Sequence, residues 1–232
     1  MDNRFERTAL LFGENAINTL ASKKIAVFGV GGVGGYVCEA LVRSGIGSFD
    51  LFDNDKVCLS NLNRQIIALE STVGMYKTEA MKNRMLDINP NVTDNCHNVF
   101  YLPENADDFD LSQYDYVIDA IDTVSAKIEL AKRCHSLGVN IISAMGAGNK
   151  INPCSFVVTD IFKTSVCPLA RVMRRELKKA NVDKLKVVYS VEEAIKPQVN
   201  NNETGKKLVG SCSFVPSVCG LIIASEVIKD LI

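Results

Sequence analysis

The sequence predicts an α/β fold: a doubly wound, mostly parallel sheet with a mixed C-terminal extension. Three observations carry this. An apolar run at residues 24–29 stops abruptly in glycines. Short β-rich runs then alternate with helical periods through residues 1–150, the pattern of parallel βαβ units. Carboxylates close two of the strands: Asp53 after the second, Asp119 and Asp122 around the fourth.

The elements follow in order. The continuous apolar character of 24–29 suits a strand buried on both faces. Residues 29–35 are a glycine turn, and 36–44 read as a helix with Val37, Ala40, Leu41 and Ser44 on one face. A second strand at 49–52 ends at Asp53, and 54–65 is polar and poor in helix signal. A helix at 77–87 sets Ala80, Met81 and Met85 on a common face and stops before the breaker pair Asn89-Pro90. Residues 92–100 read as an edge-type strand, 116–121 as a very apolar fourth strand, 126–137 as a helix closed by Gly138, and 139–144 as a fifth strand. After Gly146 the rhythm changes. Strands at 155–159 and 186–191 bracket a helix at 168–180, and the polar segment 197–207 reads as a mobile loop. The uncharged stretch 210–225 reads as a buried strand end and a closing helix. It contains Pro216 and falls short of the ~20 apolar residues of a membrane span. Residues 1–232 thus form one domain, with a nucleotide-binding half at 1–150 and a C-terminal part at 151–232.

Composition is that of a globular chain: 47% hydrophobic and 23% charged residues exclude a disordered chain or a coiled coil. The net charge of −1 hides an asymmetry, −5 over residues 1–150 against +4 over 151–232. A polyanion partner should therefore prefer the C-terminal part. Eight cysteines contain no C-x-x-C pair, and with two histidines there is no support for a zinc site. They read as reduced, mostly buried thiols of a cytoplasmic protein. The N-terminus has no apolar core and does not read as a signal peptide.

Gly29-Val30-Gly31-Gly32-Val33-Gly34 fits G-x-G-x-x-G between a strand and a helix. Glycines let the backbone turn tightly beside a phosphate, and the helix N-terminus adds N–H donors and a favourable dipole. Asp53 lies 19 residues after Gly34, where a carboxylate accepts from ribose hydroxyls. NAD would satisfy this much. ATP explains more: Arg64 and Lys77 suit a triphosphate and its departing pyrophosphate, and Asp122 suits Mg²⁺, which takes carboxylate and phosphate oxygens. No G-x-x-x-x-G-K-[ST] is present, so this is not a P-loop ATPase.

These residues resemble the ThiF/MoeB/HesA superfamily, relatives of ubiquitin-activating enzymes. The matching pieces are Arg4-Phe5-Glu6-Arg7, Gly29 to Gly34, Asp53-Asn54-Asp55-Lys56-Val57, Ser60-Asn61-Leu62-Asn63-Arg64-Gln65, Gly74-Met75-Tyr76-Lys77 and Ile118-Asp119-Ala120-Ile121-Asp122. The resemblance implies adenylation, in which a carboxylate attacks the α-phosphate of ATP. It implies that Gly29, Gly31, Gly32 and Gly34 form the phosphate turn, and that Asp53 holds ribose. Arg64 and Lys77 would bind phosphates, Asp55 and Asn61 would join the ATP site, and Asp122 would position Mg²⁺. Fixed cations stabilise charge developing on phosphate oxygens. It further implies a homodimer in which Arg7 reaches the ATP of the other subunit. Lys127 stands where relatives often have arginine, and is a weaker phosphate candidate.

Within the superfamily the sequence is similar to the branch acting on tRNA threonylcarbamoyladenosine. The similarity lies in Arg4-Phe5, Thr8 to Gly13, Asn63-Arg64-Gln65-Ile66, Asp119 to Asp122, Gly146-Ala147-Gly148 and Asp160-Ile161-Phe162-Lys163-Thr164. The implied reaction activates the carboxylate of the modified adenosine at tRNA position 37 and closes a ring with loss of water. Members that activate sulfur carriers usually hold two C-x-x-C pairs, absent here. They often place a reactive cysteine in the crossover segment, and residues 168–211 contain none. Cys212 borders that segment as a reactive or a buried thiol.

Arg171, Arg174, Arg175 and Lys178 share one helix face, opposite Leu169, Val172, Met173, Leu177 and Ala180. Read alone, this is as well a solvated charged face. With the acidic N-terminal half and the resemblance, it is a candidate tRNA-binding surface. Three rivals stay open: adenylation of the C-terminus of a ubiquitin-like sulfur carrier, an NAD-dependent oxidoreductase, and a non-catalytic nucleotide-binding partner. Assistance by a sulfur-transfer partner protein is also open.

Overall fold

The computed structural model describes residues 3–196 and 209–232. The segment expected to be a mobile loop, 197–207, lies outside them. One seven-stranded sheet organises the chain, in the order β3-β2-β1-β4-β5-β7-β6. Its strands are β1 (Lys24–Phe28), β2 (Ser48–Phe52), β3 (Thr93–His97), β4 (Tyr116–Asp119), β5 (Ile141–Ala144), β6 (Phe156–Asp160) and β7 (Lys186–Ser190). All neighbours pair in parallel except β6, which runs antiparallel to β7 at the edge. The predicted doubly wound, mostly parallel sheet with a mixed C-terminal extension is therefore the observed one.

The helices are α1 (Glu6–Phe12), α2 (Glu14–Ala21), α3 (Gly34–Arg43), α4 (Lys77–Ile88), α5 (Val124–Leu137), α6 (Pro168–Lys179) and α7 (Phe214–Leu231). Strand alternation sorts the core into two layers. Ile25 and Val27 of β1, with Phe49 and Leu51 of β2, pack under α3, α4 and α7, against Val37, Leu41, Met81, Met85, Ile223 and Val227. Ala26, Phe28, Phe52 and Val117 face the other way, onto Ala126, Leu130 and Cys134 of α5. The same face continues over β7, where Met173 and Leu177 of α6 cover Val187 and Tyr189. Burial on both faces explains why β1 after Lys24 and β4 before Asp119 are apolar. β3, the edge strand, has no fully buried residue.

Two helices had no counterpart in the sequence reading. α1 and α2 form an N-terminal pair in which Phe5, Ala9 and Ile17 make a small buried cluster of their own, while Leu20 of α2 joins the main core. Leu10 and Leu11 of α1 are 82% and 81% exposed. The apolar pattern of α1 therefore points away from the core and gives no amphipathic signal toward it. Four of the eight cysteines, Cys38, Cys134, Cys167 and Cys219, are buried, and Cys58 and Cys154 are exposed. Burial pushes the Cys134 and Cys219 thiols up to about 12. Cys212 is half-buried, its Sγ 3.9 Å from the Lys150 carbonyl. Among the described residues no helix is long and apolar enough to cross a membrane.

Candidate nucleotide site and basic helix face

The strand order reverses direction between β1 and β4, and a ligand crevice is expected there, beyond the carboxyl ends of the strands. A cavity of about 470 Å³ opens at that place. Its floor is the glycine turn. Gly29 has φ of +90°, and a Cβ there would stand 2.6 Å from the Ala120 carbonyl oxygen. A Cβ on Gly34 would stand 1.8 Å from the carbonyl oxygen of Gly29. Only glycine lets the turn close on itself and on the β4 loop. Gly31 and Gly32 line the cavity and keep the backbone open to it, while Gly34 lies behind and starts α3.

Asp53 leaves β2 into the cavity wall. Its carboxylate accepts from the Val30 N–H at 2.8 Å and from the Asp55 N–H at 2.9 Å. Lys77, the first residue of α4, brings its Nζ to 2.6 Å from Asp55 and 3.8 Å from Asp53. The Asp53 and Lys77 side chains are 9% and 8% exposed, whereas that of Asp55 is 62% exposed. Burial raises the Asp53 carboxyl above its ordinary range, against the opposing pull of Lys77 and the two N–H donors.

Residues 59–65 form a tight turn. Asn61 is buried and its Oδ1 accepts from the Cys58 N–H at 3.2 Å, which fixes the start of the turn. Arg64 is half-buried, and its Nη1 donates to the Ser60 carbonyl and to Asn63 Oδ1, each at 2.8 Å. That tether leaves the guanidinium at the cavity wall. Asp122 stands exposed just beyond β4, with the Thr123 hydroxyl donating to it at 3.4 Å.

Gly29, Gly31, Gly32, Asp53, Asp55, Asn61, Arg64, Lys77 and Asp122 thus line one cavity. Arg7 lies outside it, exposed on α1. Lys127 lies outside it too. It is fully buried against Asp119 at 2.9 Å and donates to the Ile121 carbonyl at 3.2 Å. It braces the loop that carries Asp122 and does not reach a phosphate position, which corrects the sequence expectation. Sequence reasoning missed Gln65 as a site residue. It also missed Phe100 and Tyr101 after β3, and Ser211 and Pro216 from beyond the crossover. Gln65 stands in the 60–65 motif without being singled out; the other four carry no motif, and only the folding of distant segments onto the turn brings them there. A larger cavity, about 780 Å³, lies at the amino ends of β4, β5 and β7 and holds none of the predicted residues. Of its charges, Lys186 pairs with Asp230 at 2.9 Å, and with Glu226 beside the cavity at 2.9 Å.

On α6, Arg171, Arg175 and Lys178 are exposed. Arg174 is half-buried and tied to the Thr164 carbonyl at 3.0 Å and to its hydroxyl. Arg175 and Lys179 share Glu176 at 2.6 and 3.1 Å. Arg171, Arg174 and Lys178 are the α6 cations without a carboxylate partner among the described residues, and of these Arg174 is held by Thr164.

The ThiF family model matches residues 5–232. The tRNA threonylcarbamoyladenosine dehydratase of Bacillus subtilis is 41% identical over 243 residues, covering 100% of this chain and 96% of that protein. The solved structures of the Escherichia coli tRNA N6-threonylcarbamoyladenosine dehydratase are 36% identical, covering 98% of this chain and 93% of that one. The complex with AMP superposes at a TM-score of 0.90 and the complex with ATP at 0.89.

Proposed function

This chain belongs to the ThiF family, and from that premise we propose that it is an ATP-dependent tRNA threonylcarbamoyladenosine dehydratase. One observation carries the reading. The ribose-type carboxylate Asp53, the cations Arg64 and Lys77, and the free carboxylate Asp122 converge on one glycine-floored cavity. The chain-long similarity to dehydratases supports it over the activation of a sulfur carrier.

The chemistry follows from the groups present. An oxygen of the substrate's side-chain carboxylate attacks the α-phosphorus of ATP. The bond to the bridging oxygen breaks and pyrophosphate leaves. Arg64 and Lys77 stabilise the charge that gathers on the phosphate oxygens. Intramolecular attack on the activated carbonyl then expels AMP and closes the ring. The oxygen lost in this formal dehydration departs with AMP. Asp53 anchors the ribose, and Asp55 holds the Lys77 ammonium at 2.6 Å. Asp122, exposed at the rim, would hold Mg²⁺, which would supply charge neutralisation when bound. Nothing here consumes sulfur, so a sulfur-transfer partner protein would act as an accessory and not as a donor. A tRNA substrate and the need for ATP support a cytoplasmic location.

Residues 1–232 work as one adenylation domain. Arg171, Arg175 and Lys178 form the outer tRNA contact, with Arg174 holding the Thr164 turn beneath them. The exposed Leu10 and Leu11 beside Arg7 suit burial against a second copy, which would carry Arg7 to the partner's cavity. The test is mass spectrometry of nucleosides, mildly digested from threonylcarbamoylated tRNA treated with the protein, ATP and Mg²⁺. An ATP-dependent loss of one water, abolished by Asp122→Ala, supports the reading. An unaltered nucleoside, with pyrophosphate exchange that depends on a ubiquitin-like carrier, replaces it with the alternative.

A further inference from the structure

The fully buried Asp119 and Lys127 grip the same residue. The Ile121 N–H donates to Asp119 Oδ1 at 3.3 Å, and the Ile121 carbonyl accepts from Lys127 Nζ at 3.2 Å. Ser143 of β5, also fully buried, donates to the other oxygen of Asp119. The Ala120 N–H donates to the Phe28 carbonyl at 2.8 Å, which ties the same loop to β1. Asp122 comes next in the chain and has no comparable hold of its own. Among the described residues its exposed carboxylate is met by the Thr123 hydroxyl alone, at 3.4 Å. Where that carboxylate stands is therefore set by the backbone it grows from.

Stability does not account for the pair. Taking two charges out of water costs about as much as their attraction returns, and apolar side chains of similar volume often serve as well or better. Apolar side chains cannot hydrogen-bond a residue at both its N–H and its carbonyl. The pair does so and carries no net charge, so it holds the loop without adding attraction or repulsion beneath the cavity. Groups that orient a metal-binding carboxylate matter to the metal: removing them typically costs about 10–100-fold in affinity or activity.

We propose that Asp119 and Lys127 are positioning residues for Asp122. By fixing the N–H and the carbonyl of Ile121, they set where the Asp122 carboxylate meets Mg²⁺ on bound ATP. This rests on the ATP and Mg²⁺ reading above. The test is calorimetric titration of the full chain with ATP, once with Mg²⁺ and once with a chelator. The ratio of the two dissociation constants measures what the metal adds, and urea unfolding is followed in parallel. Four proteins are compared: the unaltered chain, Asp122→Asn, Lys127→Met/Asp119→Leu, and the variant carrying all three substitutions. Lys127→Met/Asp119→Leu is expected to unfold near the unaltered chain and to bind metal-free ATP equally well. Its gain from Mg²⁺ is expected to fall about tenfold. The triple variant is expected to lose no more than Asp122→Asn, because the pair acts through that carboxylate. A gain from Mg²⁺ in Lys127→Met/Asp119→Leu equal to that of the unaltered chain overturns the proposal. So does a loss equally large without metal, which marks a general disturbance of the cavity, or a loss that adds in full to that of Asp122→Asn. If the apolar pair does not fold, Lys127→Met/Asp119→Asn, which keeps an acceptor for the Ile121 N–H, decides by the same ratio. Failure of the unaltered chain to gain from Mg²⁺ is a different result, which removes the metal reading of Asp122 and this proposal with it.

Discussion

Removing the Lys77 ammonium should destabilise the protein at neutral pH and spare it in acid. Lys77 lies 3.8 Å from Asp53, and both side chains are under a tenth exposed. Two unit charges at that distance interact by about 4 kcal/mol at an effective dielectric constant near 20. Taking the lysine away also removes its own desolvation cost, so Lys77→Met should lose a net ~2 kcal/mol at pH 7. The contact with Asp55 adds little, because that carboxylate is 62% exposed. For a chain of this length, ~2 kcal/mol lowers the melting temperature by roughly 4–8 °C. The pH dependence gives the sharper check. The Asp53 carboxyl is raised in the fold, so its ionised form is disfavoured on folding, and that penalty begins as pH rises through the unfolded-state pKa and is complete above the folded one. Without Lys77 the folded pKa climbs further. The deficit of Lys77→Met should be full at pH 7 and shrink as pH falls through it. Urea unfolding of both proteins at pH 7 and pH 4.5 measures this. Equal stability at pH 7, or a deficit that does not diminish in acid, would refute the reasoning.

The buried Lys127–Asp119 pair makes a second prediction. Lys127→Met strands a fully buried carboxylate and should cost ~3–5 kcal/mol in urea unfolding, while Lys127→Met/Asp119→Leu should recover most of it. On α6, Arg171→Glu with Lys178→Glu should raise the KM for tRNA and flatten its salt dependence, leaving ATP affinity untouched. Arg7 supplies a fourth: Arg7→Ala and Lys77→Ala should each be inactive, yet mixing them should restore activity through hybrid dimers carrying one intact site. Activity that stays at zero after subunit exchange would argue against an arginine acting across subunits.

The sheet was legible because its strands are buried on both faces. Apolar runs such as 24–29 and 116–121 leave little alternative when each ends in a glycine turn or a carboxylate. The fourth strand nevertheless stops at Asp119, two residues early, because Asp119 turns inward to accept from the Ser143 hydroxyl at 2.5 Å and from Lys127. That inward turn also misled the reading of Lys127, whose charge suggested a phosphate until burial showed its partner. α1 was invisible for the opposite reason, since Leu10 and Leu11 face outward and burial leaves no periodic trace. On α6 the spacing placed four cations on one face, but it could not show Arg174 folding back onto Thr164. The motif residues of the cavity were legible as chemistry. Gln65 was not, since one amide in a polar run says nothing until the fold sets it on the cavity wall.

The central claim is that the carboxylate is activated by adenylation. Threonylcarbamoylated tRNA carrying ¹⁸O in both carboxylate oxygens, incubated with the protein, ATP and Mg²⁺, tests it directly. The account predicts AMP bearing a single heavy oxygen, with unlabelled pyrophosphate, in step with the dehydrated nucleoside. Heavy oxygen in inorganic phosphate, released together with ADP, would mean attack on the γ-phosphate and would contradict it.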